Sequence, residues 1–208
     1  MVKVQGPAMS MEASGSLAGT LVFSKWKGRP YVRGLVMPSN PKSGKQTGMR
    51  SMFKFLSQEW AGLAVAHGSS WLALAAAGNY STFNAYMSTN QTAWRSFVTP
   101  SQAYPAAQTS GAPSALTAVA TAGIRQITLE MTHGATPADW GVAIFRQLGG
   151  APTPSLDNCV AIIPVDGSGD ATYIDTPLEA GTWHYKLIGF NDDGVQGAAS
   201  IDYSAIVA

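Results

Sequence analysis

The sequence predicts an α+β module followed by an all-β sandwich, and three observations predict it. Apolar residues between positions 49 and 97 recur at helical spacing. Those beyond 115 alternate with a period of two. Between them, residues 101–114 carry no charge at all. Four segments follow from this: an extended arm over 1–19, a hairpin and helical module over 20–100, an exposed linker over 101–114, and a β-sandwich over 115–208.

The arm is rich in Gly, Ser, Ala and Met and has no period, the composition of a segment that orders on a partner. Met9 and Met11 within it are candidate adaptable contacts. Leu21-Val-Phe23 and Tyr31-Val-Arg-Gly-Leu-Val36 then flank a Lys27-Gly-Arg-Pro30 turn, which predicts a hairpin. On its second strand Tyr31, Arg33 and Leu35 share one face and Val32, Gly34 and Val36 the other, so one face is wetter. Pro38 and Pro41 stop the strand, because proline lacks an amide donor and disfavours helix in the residue before it.

Three helices are predicted next. Ser43-Gly-Lys-Gln46 has the form of a capping box, and Met49, Met52, Phe53, Leu56, Trp60 and Leu63 make an i, i+3, i+4, i+7 stripe. A shorter helix runs from Ser69 or Ser70 to Ala77, with Gly78 as its C-terminal cap. A third starts near Ser81 and repeats the spacing at Phe83, Tyr86, Met87, Trp94 and Phe97. These helices and the hairpin are expected to close a small core centred on Trp60, Trp71 and Trp94. Beyond the linker, seven candidate strands span 116–121, 124–132, 140–147, 159–165, 171–175, 182–190 and 198–207, separated by Gly, Pro, Asp and Asn clusters. Short strands at that spacing predict a sandwich of roughly ninety residues.

The net charge of +1 conceals an asymmetry. Residues 1–60 hold nine Lys and Arg against two acids, or +7, while residues 61–208 hold four against ten, or −6. A basic front on an acidic back predicts that two surfaces, or two copies of the chain, meet through charge. Only 12% of residues are charged and 46% are apolar, a thin charged surface that predicts extensive coverage by partners. Cys159 stands alone among apolar neighbours, which excludes an internal disulfide and predicts a small core residue. No export signal and no run of some 18 apolar residues is present, so the expected chain is soluble, made in the cytoplasm and not bound to a membrane.

Nothing in the sequence assembles catalysis. Asn40-Pro-Lys-Ser-Gly44-Lys45-Gln-Thr47 only superficially resembles a phosphate loop, since Ser39 stands where its first Gly belongs and Gln46 follows the Lys. His67, His133 and His184 are widely separated, with no second ligand at metal spacing. No Gly-x-Ser-x-Gly elbow occurs, and Asp166-Gly-Ser-Gly-Asp170 and Asp192-Asp193 offer too few acids for a calcium shell. No catalytic residue, cofactor or metal is expected.

The stretch Tyr173-Ile-Asp-Thr-Pro-Leu178-Glu-Ala-Gly181-Thr182-Trp-His-Tyr185-Lys-Leu187-Ile-Gly189-Phe-Asn191-Asp-Asp-Gly194 resembles a fibronectin type III domain: a Leu, a small Gly-Thr turn, a Tyr opening strand F, and an Asn-x-x-Gly turn into the last strand. The family's core Trp on the second strand is missing, leaving Trp140 or Trp183 to fill that volume. The Leu to Tyr spacing is one residue longer than usual, which leaves His184 and Tyr185 as alternatives for the corner position. The N-terminal part is similar to small bacteriophage and prophage structural proteins through Ser24-Lys-Trp26-Lys-Gly28-Arg29-Pro-Tyr31-Val-Arg33, through Pro38-Ser-Asn40-Pro41 with Gln46, Arg50 and Phe53, and through Gly78-Asn-Tyr80-Ser-Thr-Phe83-Asn-Ala-Tyr86. That resemblance implies a non-enzymatic virion component, first a head decoration or cementing protein on the major capsid protein, alternatively a neck or tail accessory, present as a homo-oligomer or in many lattice copies.

The candidate partner-binding residues are Lys25, Trp26, Lys27, Arg29, Tyr31 and Arg33. Arginine forks onto carboxylates and large aromatics bring rigid contact area, the residue types that dominate interfaces. Phosphate contacts are the competing use of these cations, but they alternate with apolar residues and the other domain is acidic, so no nucleic acid is expected. A surface adhesion or carbohydrate-binding module is the alternative of another class; Trp140, Tyr173 and Trp183 clustered on one exposed face would favour it.

Overall fold

The hairpin forms where the alternation puts it. In a computed structural model, which describes residues 2–3, 15–17, 19–37 and 42–208, β3 (Leu21–Trp26) and β4 (Arg29–Gly34) pair antiparallel with Trp26 opposite Arg29. The intervening Lys27 and Gly28 both take positive φ, 48° and 78°, as a two-residue turn matched to strand twist requires. The arm is not wholly an arm. β1 (Val2–Lys3) adds to the outer edge of β4 and β2 (Gly15–Leu17) to that of β3, giving a four-stranded sheet in the order β1-β4-β3-β2. Hydrogen-bonding demand on both hairpin edges is what recruits these short pieces. Met9 and Met11 lie outside the described residues.

The chain divides into two compact units, residues 1–41 and 42–208, and this boundary corrects the predicted one. The hairpin belongs to the first unit, whereas the helices share a core with the sandwich. That core joins Met52, Phe55 and Leu56 of α1 (Gly44–Ala66), Trp71, and Tyr86 and Trp94 of α3 (Thr82–Arg95) to Trp140, Phe145, Cys159 and Phe190 of the β part. Phe55 packs on Trp140 with ring centroids 5.0 Å apart and edge-on to Phe190 at 5.6 Å, and the Trp140 indole N–H donates to Glu59 at 3.3 Å. Large rings projecting from a sheet face are buried only if helices cover that face.

The stripe on α1 is therefore wider than predicted. Phe53 is 53% exposed, while Phe55, off the expected stripe, is 1% exposed because the helix meets both its sister helices and the sheet. The capping box does not form, since the Ser43 side chain makes no capping bond and Thr47 instead returns its amide and hydroxyl to the Ser43 carbonyl. A 3₁₀ turn (Gly68–Trp71) leads into α2 (Leu72–Gly78), whose left-handed cap is Asn79 at φ 53°, one residue beyond the predicted Gly78. Ser81 does cap α3, accepting from the Asn84 amide.

All seven predicted strands are present: β5 (Thr117–Gly123), β6 (Gln126–Thr132), β7 (Gly141–Leu148), β8 (Cys159–Pro164), β9 (Ala171–Asp175), β10 (Gly181–Phe190), and a last one broken into β11 (Gln196–Ala199) and β12 (Tyr203–Val207). They form a β-sandwich of a three-stranded sheet, β5-β6-β9, on a sheet β11-β10-β7-β8 in which β12 also pairs with β10. Ile127, Leu129, Ile144, Leu178 and Leu187 fill the space between the sheets. Trp140 does not fill it, being in the helix-facing core, and Trp183 only lines its edge. Of the two alternatives at the corner, Tyr185 is fully buried and His184 pairs with Asp202 at 2.7 Å.

The predicted linker is an ordered strap. Asn90 holds Ser101 by two bonds of 2.9 Å, Trp71 Nε1 donates to the Gln102 carbonyl at 2.7 Å, and Asp193 accepts from the amides of Thr109 and Ser110.

Candidate docking surface

Pairing register assigns the hairpin residues to faces. Opposed residues share a face, so Trp26 with Arg29, Ser24 with Tyr31 and Val22 with Arg33 form one side, and Lys25 with Pro30, Phe23 with Val32 and Leu21 with Gly34 the other. Four of the six candidates, Trp26, Arg29, Tyr31 and Arg33, are thereby brought together. Lys25 is not, because it is one residue from Trp26 and strand parity turns it to the opposite side. Lys27 lies in the turn with its ammonium 4.9 Å from the Trp26 ring centroid, a cation–π contact.

The assembled face is open. Trp26 is 63% exposed, Arg29 and Arg33 are exposed, and Tyr31 is half-buried. A mostly exposed indole opposite one arginine, on a face that holds a second, has the composition of an interface anchor. The reverse side carries Leu21, Phe23, Pro30 and Val32.

The His133 ring bonds Asp170 at 2.8 Å, and the His133 amide and ring together hold that carboxyl below its usual range. The Ser168 hydroxyl and the Ser168 and Asp170 amides do the same for Asp166. Both acids thus close a loop as carboxylates, and neither is placed to deliver a proton near neutrality. Among the described residues no group of three His, Cys, Asp or Glu converges as a metal site requires. Burial pushes the Cys159 thiol up to about 12, removing it as a nucleophile. Trp140, Tyr173 and Trp183 form no exposed cluster: Trp140 is buried, and Trp183 is half-buried with Arg146 4.8 Å above its ring.

No family model and no curated protein matches the chain. Among solved structures it is similar to the chicken interferon gamma receptor alpha chain, at 15% identity over 47% of this chain and 52% of that one, with a TM-score of 0.36. A β-1,2-glucanase from Parabacteroides distasonis shares 18% identity over 47% of this chain and 13% of that one, TM-score 0.37. A myokine shares 14% over 47% and 96%, TM-score 0.33. The chain therefore spans about half of the receptor chain and a small part of the glucanase. At such scores these likenesses carry no functional argument. No helix among the described residues is long and apolar enough to cross a membrane.

Sequence reasoning missed the buried polar cluster of Arg146, Asp175 and Tyr185, because its members come from three strands and two sheets. Its only sequence signal is a lone Arg ending an otherwise apolar strand, Val142 to Arg146.

Proposed function

We propose that this chain is a non-enzymatic assembly protein of a bacteriophage particle, which docks through the basic aromatic face of its N-terminal sheet and presents a helix-capped sandwich. The observation that carries the docking reading is the position of Trp26, 63% exposed and paired in register with Arg29 on the face that also holds Tyr31 and Arg33. Among the described residues, the unit that holds this four-stranded sheet contains no helix. Acidic residues on that partner would pair with Arg29 and Arg33 bidentately, and the Trp26 and Tyr31 rings would supply the desolvated centre.

The virion assignment rests on the resemblance of the hairpin and helix motifs to phage structural proteins. The strand order of the sandwich, three strands against a sheet ending in a split last strand, supports a fibronectin type III-like reading of that part. Head decoration on the major capsid protein is the first choice, because a small chain with a thin charged surface suits many repeated copies; a neck or tail accessory is the second. Neither reading calls for a cofactor, nucleic acid or membrane.

Two measurements test it. Stoichiometry of the chain against the major capsid protein in purified particles should give hundreds of copies for decoration and about a dozen for a neck or tail part. The double variant Arg29→Glu, Arg33→Glu should remain a folded chain that no longer joins particles. Incorporation at the wild-type level would rule out the charged anchor, and absence of the chain from particles would rule out the virion role.

A further inference from the structure

One side of the sandwich is where both of its sheets end. β8 is the last strand of one sheet and β9 of the other, and the two strands touch. Two clefts follow one another along that side. The first, between the N-terminal half of α1 and these strands, is walled by Lys42, Arg50, Lys54 and Tyr173, with no acid in its wall. The second is walled by Glu130, Asp166 and Asp170, with no Lys or Arg in its wall.

The clefts are adjacent along the chain itself. Residues 160–163 of β8 wall the basic cleft and Pro164 and Val165 continue into the acidic one, while on β9 Tyr173 belongs to the first and Ala171 and Thr172 to the second. Charge of one sign is thus followed by charge of the other along a single edge. We propose that this edge is an interface between two copies of the chain related by a two-fold axis, in which the basic cleft of each copy receives the acidic cleft of the other.

The symmetry follows from the order of charge. A two-fold axis perpendicular to the edge reverses its direction in the second copy, so basic meets acidic twice and one patch complements itself. An in-register alignment with the edges running the same way sets like charge on like, and a shifted one pairs opposite charges only once and leaves the contact open. The contact is made by side chains and not by one continuous sheet, because the outward amide of Ile162 on β8 is already taken by the Ser51 hydroxyl at 2.6 Å. His133, bonded to Asp170, adds no opposing charge while neutral, and Lys45 lies outside the wall, 4.0 Å from Asp157. An interface built from such charges is specific in register and weakened by salt. It stands independently of docking through the N-terminal sheet.

Sedimentation velocity on the full chain tests it with a charge swap. Arg50→Glu with Lys54→Glu reverses the net charge of the basic cleft, leaving Lys42 as the cation in its wall. Glu130→Lys with Thr172→Lys cancels the negative charge of the acidic cleft while sparing Asp166 and Asp170, which hold their loop together. The wild type should show a concentration-dependent dimer at low ionic strength that high salt dissolves. Each variant alone should lose dimer affinity by roughly tenfold or more, and mixing the two should restore a heterodimer. A wild type that stays monomeric at low salt, a variant that dimerises as well as the wild type, or a mixture that stays monomeric would each overturn the proposal. If the double basic variant fails to fold, Glu130→Lys alone takes its place in the mixture with the same outcomes. Arg29→Glu with Arg33→Glu should leave this dimer intact, which separates its failure from failure of the docking surface.

Discussion

The Tyr185 hydroxyl donates to Asp175 at 2.9 Å, and Arg146 Nη1 donates to both oxygens of the same carboxylate at 2.7 and 2.8 Å. One buried acid, 4% exposed, thereby fastens β9 of one sheet to β7 and β10 of the other. Burial, reinforced by the Asp175 charge, pushes the Tyr185 hydroxyl well above its ordinary value and keeps it a donor.

Asp175→Ala removes the acceptor and leaves a guanidinium and a phenol facing each other in the core. It should cost about 3 kcal/mol, at the low end for a broken buried pair because Arg146 is partly solvated. Tyr185→Phe should cost about 1 kcal/mol, since the Arg146 Nη1 bonds to the carboxylate survive. Urea denaturation of the two variants checks both values; equal costs would mean that the hydroxyl and the carboxylate are not one network.

Two glycines of α1 should respond oppositely to the same change. A methyl group at Gly44 would run into the Asp157 backbone in the loop before β8, whereas at Gly62 nothing lies within 4 Å. Gly62→Ala should stabilise by about 0.5–1 kcal/mol through helix propensity and a less mobile unfolded chain. Gly44→Ala should destabilise by about 1–3 kcal/mol, because the start of the helix must shift away from the Asp157 loop. Thermal melts of both single variants read the signs directly.

Asp139 gives a pH dependence of defined sign. Its carboxyl is raised above the ordinary range, first by burial and then by the Asp192 and Asp193 charges, although it accepts the Asp192 amide at 2.9 Å. A raised folded value means that the native state binds the proton more tightly, so the associated stability is present in acid and lost as pH rises through that value. At pH 7 the charged form therefore weakens the fold. Asp139→Asn keeps the acceptor and drops the charge, so its melting temperature should exceed the wild type's at pH 7. The gain should shrink toward zero below the ordinary Asp value of about 3.9. A gain that persists unchanged into acid would show that charge is not its cause.

Local periodicity made most elements readable. Strand alternation located the hairpin and the seven sandwich strands, and helical spacing located the three helices. Parity on the hairpin already contained the separation of Lys25 from Trp26, since adjacent strand residues face opposite ways. The shared core also left a trace: Val142-Ala-Ile-Phe145 and Cys159-Val-Ala-Ile-Ile163 are unbroken apolar runs, which mark strands covered on both faces. A period-two reading passes over that signal.

The sequence by itself determined the elements, their order and the placement of cations at the front of the chain, because propensity, alternation and capping act between residues a few positions apart. Tertiary structure alone decided that the helices lie on the sandwich, that residues 101–114 form a bonded strap, that Phe55 and not Phe53 is buried, and that Arg146 meets Asp175. Each of these depends on which distant surface arrives opposite a residue, and local spacing does not name that surface, even where an apolar run shows that a strand is covered on both faces.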